Sequence, residues 1–261
     1  MFIDAHIHLD QYAEEEREPL MAKLAAEGGE AVIAVSMHRE SCEANLRLAR
    51  AWPKRVYPAF GYHPEQPVPD DAERDRLFAW IRAHAAEMTA VGEVGLPYYS
   101  RMDAEQRGEP FALAPYVDLL ERFVLLAKEL DKPLVLHAVY EDADMACSLL
   151  ERHGFNRAHF HWFKGSEDTI RRMAENGYYV SFTPDIVYEP EIRRLAELYP
   201  ADQVMAETDG PWPFEGPFAG LATRPDMAQD VIATWSEIRG VPLEDARRQF
   251  YTNTKRFYGL K

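Results

Sequence analysis

Eight short apolar runs, each followed by a longer amphipathic segment or loop, constrain this chain more than any other feature it has. The runs are Phe2–Ala5, Ala31–Val35, Val56–Phe60, Ala90–Val94, Pro133–Leu136, Ala158–Phe160, Tyr178–Phe182 and Val204–Ala206. They are too short for helices and rich in β-branched or aromatic residues, so they predict strands. Between them lie helical patterns such as EEREPLMAKLAAEGG, ESCEANLRLARAW, ERDRLFAWIRAHAAEM, PYVDLLERFVLLAKEL and EDTIRRMAENG. In the third of these, Leu77, Trp80, Ile81, Ala85 and Met88 mark one face at helical spacing. Gly28–Gly29 and Gly177 supply the left-handed residue at which a helix ends. Eight strand-then-helix units point to an α/β fold of the TIM-type (β/α)8 barrel rather than an open doubly wound sheet. No glycine-rich phosphate loop follows the first strand, which argues against a dinucleotide-binding fold. No linker or low-complexity stretch divides the 261 residues, so one domain over 1–261 is expected.

Charge and composition limit the partners. A formal net charge of −15 repels long polyanions, so stable duplex DNA binding is not expected. There is no apolar run long enough for a bilayer and no basic-then-apolar leader, so neither membrane insertion nor a signal peptide is expected. Cys42 and Cys147 lie far apart in helical patterns. That excludes a disulfide framework and suits a cytoplasmic location. Two stretches, GLPYYSRMDAEQRGEPFAL and TDGPWPFEGPFAGLATRPD, read as long loops bordering a site, the second stiffened by its prolines and aromatics.

In such barrels the chemistry sits at the C-terminal ends of the strands. His6 and His8, in FIDAHIHLD, point the same way if they share a strand. His63 in FGYHPE follows the third run, and Glu93 in AVGEVGL lies in the fourth. His137 in PLVLHA ends the fifth, His161 in AHFHWF ends the sixth, and Asp209 in AETDGP follows the eighth. All seven fall at one rim, and histidines scattered through a core have no reason to select one end of the strands. Glu93 between Val91, Val94 and Leu96 would cost several kcal/mol if buried unpaired, so it needs a cation, hydrogen-bond donors or a proton. Imidazole and carboxylate donors without thiolate suit Zn²⁺, Mn²⁺, Fe²⁺, Co²⁺ or Ni²⁺, with Mg²⁺, which prefers more oxygen, as the remaining candidate. The donors outnumber what one catalytic ion needs, so two divalent metal ions bridged by Glu93 are expected. Of the other histidines, His84 reads as core and His153 as a helix C-terminal cation. His38 reads as the start of a helix, and His159 as barrel interior one layer below His161.

The segments DAHIHLD, FGYHPE, VGEVGL, PLVLHA, HWFKGS and ETDGPW, in this order and followed by NTKRFYGL, resemble the TatD-type metal-dependent hydrolases of the amidohydrolase superfamily. The resemblance covers essentially the whole chain. It implies metal-dependent hydrolysis of phosphoesters, in several members cleavage of DNA from a strand end. By it, His6, His8, Glu93 and Asp209 would hold one ion, and Glu93, His137 and His161 the other. Asp209 would orient or deprotonate the attacking water, and His63 would contact the substrate or stabilise the transition state.

Four positions depart from that pattern: Pro97 stands for an aspartate, Val139 for an arginine, Phe123 for a glutamine and Gly210 for a serine. A lost arginine removes a bidentate phosphate contact that valine cannot replace. Lys164, Arg101 and Arg224 are the remaining cationic candidates for substrate binding. Trp162, Trp212, Phe214 and Tyr98 are candidate stacking surfaces. The expected substrate is a small phosphoester or a nucleic-acid end. A lactone, ester or amide is the alternative, and a metal-binding barrel without catalysis is the third reading.

Overall fold

The computed structural model describes residues 1–261 and contains all eight expected strands: β1 (Phe2–Ile7), β2 (Gly29–Ala34), β3 (Val56–Phe60), β4 (Ala90–Gly95), β5 (Leu134–His137), β6 (Ala158–Phe160), β7 (Tyr179–Phe182) and β8 (Val204–Ala206). Each pairs in parallel with the next, in the order β1 to β8, with helices between them. This is the expected barrel. Apolar residues of the helices, among them Leu24, Ile81, Phe123, Leu150 and Trp235, pack onto the outside of the strands in one continuous core.

A second, smaller cluster joins Ala5, Ile33, Val35, Ala59, Val135 and Met205 of the strand region to Phe257 and Tyr258, at the end of the helix Leu243–Tyr258. The two aromatics pack against these side chains and close the cluster.

No regular ladder joins β8 to β1; side chain and loop backbone do so instead. Asp4, fully buried, accepts from the Thr208 amide at 3.1 Å and its hydroxyl at 2.5 Å. The Asp209 amide donates to His6 O at 3.0 Å, and the His8 amide to Gly210 O at 2.8 Å. Burial pushes the Asp4 carboxyl well above its usual range. These contacts fix the first and last rim segments side by side, which carries His6, His8 and Asp209 to one place.

Three expectations about the rim need correcting. The stretch after β4 is not a loop throughout: Tyr98–Gln106 is a helix, with only Ala104 buried, so it shows no apolar stripe to read. The stretch after β8 contains two short 3-10 turns, Gly216–Phe218 and Pro225–Met227. His8 also lies beyond the end of β1, at the start of a 3-10 turn, rather than within the strand.

Beneath the rim runs a polar column. His159 is fully buried, and burial holds its pKa well below the usual value, so it is neutral. Its Nε2 lies 2.6 Å from Ser181 Oγ, which donates to Glu207 Oε2 at 2.5 Å. Ser181 therefore accepts from Nε2–H, and Nδ1 accepts from the Tyr258 hydroxyl at 2.8 Å. Tyr258→Phe leaves Nδ1 without a partner at the barrel base. Urea denaturation is expected to show a loss of about 1–3 kcal/mol; unchanged stability would contradict this role.

Candidate metal centre

Glu93, in β4, is fully buried at the centre of the rim, and its two oxygens face two groups of side chains. Oε2 lies 3.2 Å from His6 Nε2 and 3.3 Å from His8 Nε2. Those nitrogens are in turn 3.2 and 3.4 Å from Asp209 Oδ1. Oε1 lies 2.8 Å from His161 Nε2, 3.1 Å from His137 Nδ1 and 3.3 Å from His63 Nε2. The chain thus brings together all seven rim residues read from the sequence, in two groups sharing one carboxylate.

The backbone is shaped for this convergence. A side chain at Gly95, whose φ is +159°, would place its Cβ 1.8 Å from His137 O, so glycine lets β4 and β5 close up beside the site. Asp209 sits at φ 48°, in the left-handed region that a residue with a side chain seldom adopts. Gly210, where the resemblance expects serine, is explained by crowding. A Cβ there would meet the Tyr12 hydroxyl at 1.9 Å, and that hydroxyl donates to Thr223 O at 2.9 Å.

Charge balance decides what the cluster is for. Burial disfavours the charged form of Glu93, but the histidines His161, His63 and His6 outweigh it and hold the carboxyl well below its usual range. Burial likewise would raise Asp209, yet the adjacent imidazoles of His6 and His8 bring it well down. Burial lowers the His8 pKa, and Asp209 and Glu93 overcome this to bring it up to about 10. His63 is lowered, chiefly by burial. Several buried atoms face the cluster with no hydrogen-bond partner, among them Glu93 Oε2, Asp209 Oδ1, His6 Nε2 and His137 Nε2. Buried polar atoms are normally partnered, so unpartnered lone pairs aimed at one space mark a place for a cation. Donor separations of 3.2–3.4 Å match the edge of a tetrahedron about 2.0–2.1 Å in radius, the distance at which imidazole and carboxylate hold a transition metal. The residues present fit such an ion.

Two supporting carboxylates escaped the sequence reading. Glu207 accepts from the Trp162 amide at 2.8 Å and lies 3.5 Å from His161 Nδ1, so it turns the other nitrogen of that ring toward Glu93. It shares its face of the chain with Asp209, two residues on, the same spacing that singled out His6 and His8. Its oxygens also bring it within donor range of His6 and His161. They are already engaged by Trp162 and Ser181, which makes it a support rather than a ligand. Glu65 caps the helix Tyr98–Gln106, accepting from the amides of Tyr99 at 2.9 Å and Ser100 at 2.7 Å, and lies 3.4 Å from His137 Nε2. Burial opposes its charge, but His137 and Ser100 bring its pKa down to about 2.

The centre opens into a cavity of about 900 Å³, lined in part by His63, Lys164, Val139, Trp162, Trp212 and Phe214. Three expected contacts are absent from it. Arg101 is tied to Asp142 at 2.6 Å and Glu141 at 3.1 Å, and Arg224 to Asp226 at 3.1 Å. Tyr98 packs on Tyr140, with ring centroids 4.9 Å apart, and it is Tyr99 that faces the cavity. Phe123 lies in the outer core, and Pro97 precedes the helix Tyr98–Gln106. His84 is a half-buried helix cap stacked on Trp80 rather than core, and His38 caps the helix Arg39–Ala51. His153 caps the helix Glu141–Arg152 and meets Glu121 at 2.7 Å. Cys42 and Cys147 are buried and free. No helix is long and apolar enough to cross a membrane.

The chain is similar to proteins named as metal-dependent hydrolases. A Haemophilus influenzae protein named "Uncharacterized metal-dependent hydrolase" is 38% identical over 261 residues, the whole of both chains. A Mycobacterium tuberculosis protein named "Uncharacterized metal-dependent hydrolase TatD" is 30% identical, with 99% of this chain and 98% of that one covered. Among solved structures, YjjV, the TatD homolog of Escherichia coli K12, superposes with a TM-score of 0.87 at 27% identity, covering 100% of this chain and 98% of that one. The model of the family described as TatD related DNase matches residues 3–259, and the chain belongs to that family.

Proposed function

We propose that the chain is a two-cation phosphoester hydrolase. Its centre is held by His6, His8, Glu93 and Asp209 on one side and by Glu93, His137 and His161 on the other, in a single catalytic domain over 1–261. The observation that carries this is the pair of donor groups, one on each oxygen of the buried Glu93 carboxylate. Bound there, a pair of divalent cations lowers the pKa of water and neutralises charge developing on a phosphoryl group.

The remaining work falls to the chain's own groups. Asp209 Oδ1 is unpartnered and at the cavity wall, and its carboxylate, held ionised, accepts the proton of the attacking water. Glu93 keeps the two donor groups in register. His63, at the wall beside Oε1, is neutral at pH 7 and donates a hydrogen bond to a phosphoryl oxygen. Lys164 supplies a single positive charge farther out, its Nζ 5.0 Å from the Trp162 ring centroid. Trp162 is itself fixed by its indole N–H to Asp185 at 2.6 Å.

A second reading, hydrolysis of a lactone, ester or amide at the same centre, is favoured by one observation. Val139 lines the cavity where the resemblance calls for an arginine. A panel of such esters run beside phosphoesters on the same metal-loaded protein chooses between the two readings.

Two outcomes are expected. Asp209→Asn lowers kcat on a phosphoester by about 10²–10⁴-fold while elemental analysis still finds metal, and turnover at the parent rate removes Asp209 from the role of base. Metal binding is also coupled to protons. In the metal-free protein His8 is protonated up to about pH 10, and a cation in its place requires the neutral ring. Zn²⁺ binding at pH 7 therefore releases protons, and its apparent affinity climbs as pH rises toward that value. Calorimetry in two buffers of different ionisation enthalpy reads the release directly, and buffer-independent heats would contradict it.

A further inference from the structure

The cavity changes sign between its floor and its mouth. At the floor, Glu93 Oε2, Asp209 Oδ1 and His137 Nε2 are buried and unpartnered and face the space where cations fit. Toward the mouth, Asp103, Glu189 and Glu215 line the same cavity, and none of the three side chains meets a cation or a hydrogen-bond donor. Glu65 and Asp185 are also in the wall, but their oxygens are engaged by the amides of Tyr99 and Ser100 and by Trp162 and Thr183. Against these carboxylates, Lys164 is the one lysine or arginine in the lining. Arg101 and Arg224, in the stretches after β4 and β8, are neutralised by Asp142 and Asp226. The whole chain carries a net charge of −15, so its long-range field has the same sign as the mouth.

A slot with a cation-binding floor and an anionic mouth selects for charge at both ends. We propose that the substrate is a phosphoester with a single phosphate group, whose remaining arm is uncharged or positively charged, and that a nucleic-acid strand is disfavoured. This rests on the phosphoester reading above. A strand seated with one phosphate at the floor brings a further negative charge with each nucleotide, and those charges fall against Glu189, Glu215 and Asp103. Nucleic-acid grooves follow the backbone with lysines and arginines, and this mouth offers one.

The test compares p-nitrophenyl phosphate with a single-stranded DNA decamer on Mn²⁺-loaded protein. It uses the parent chain and the variant Asp103→Asn/Glu189→Gln/Glu215→Gln. The aryl ester is expected to exceed the strand in kcat/KM by about 10-fold or more, and the variant to narrow that gap by about 5-fold, since steering by surface charge acts on this scale. Glu215→Gln alone, on an exposed turn, moves the ratio the same way and covers the case in which the triple variant folds poorly. Independently of turnover, fluorescence anisotropy of a labelled decamer with metal-stripped protein is expected to show no saturable binding below about 100 μM at 50 mM salt. A strand cleaved as well as the aryl ester, with a ratio untouched by the variants, or micromolar binding of the decamer, overturns this inference and leaves the phosphoester reading standing. Turnover of neither probe overturns both.

Discussion

A carboxylate buried among aliphatic side chains cannot stand alone, and Glu93 is the point from which the rest of this structure follows. Removing its charge from water costs several kcal/mol even after local relaxation, so positive charge must be gathered around it. The barrel gathers it from four strand ends. Imidazoles from β1 and β5 and from the segments after β1, β3 and β6 approach its two oxygens, and Asp209 completes one side. In the metal-free chain, protons on the imidazoles answer that need, as the raised His8 shows. Divalent cations answer it better, because they satisfy several lone pairs at once and free those protons.

The same demand reaches downward through the barrel. His161 turns Nε2 toward Glu93 because the Glu207 carboxylate lies 3.5 Å from its other nitrogen and draws that side of the ring toward itself. Glu207 is in turn fixed by Ser181 and the Trp162 amide, Ser181 by His159, and His159 by Tyr258 at the barrel base. An interior that most barrels fill with branched aliphatics is here partly a hydrogen-bonded column. Glu207, Ser181, His159 and Tyr258 are buried and hydrogen-bonded to one another in turn, the condition under which a polar network rigidifies a core rather than weakening it. The fold and the centre are thus supported by one set of contacts, with the C-terminal helix anchoring both.

Local chemistry was legible in the chain, and long-range pairing was not. The strands could be read because each is a short apolar run bounded by polar or glycine-containing segments. The seven rim residues could be read because strand ends are also segment ends. The helix Tyr98–Gln106 could not, since it buries almost nothing and owes its start to Glu65, more than thirty residues earlier. Arg101 and Arg224 looked free because their partners, Asp142 across the sequence and Asp226 two residues away, compete for them only once the chain is folded. Gly210 looked like a lost hydroxyl until the fold set the hydroxyl of Tyr12 against it. Glu207 was within reach, because it stands in the same alternating pattern as Asp209.

The central claim is that one buried carboxylate holds two cation sites. Anomalous diffraction from crystals equilibrated with Mn²⁺ or Zn²⁺ tests it most directly. The account predicts two peaks flanking Glu93, about 3.5–4 Å apart. One is expected beside His6, His8 and Asp209, the other beside His137 and His161. A single peak, or peaks away from the Glu93 oxygens, would contradict it.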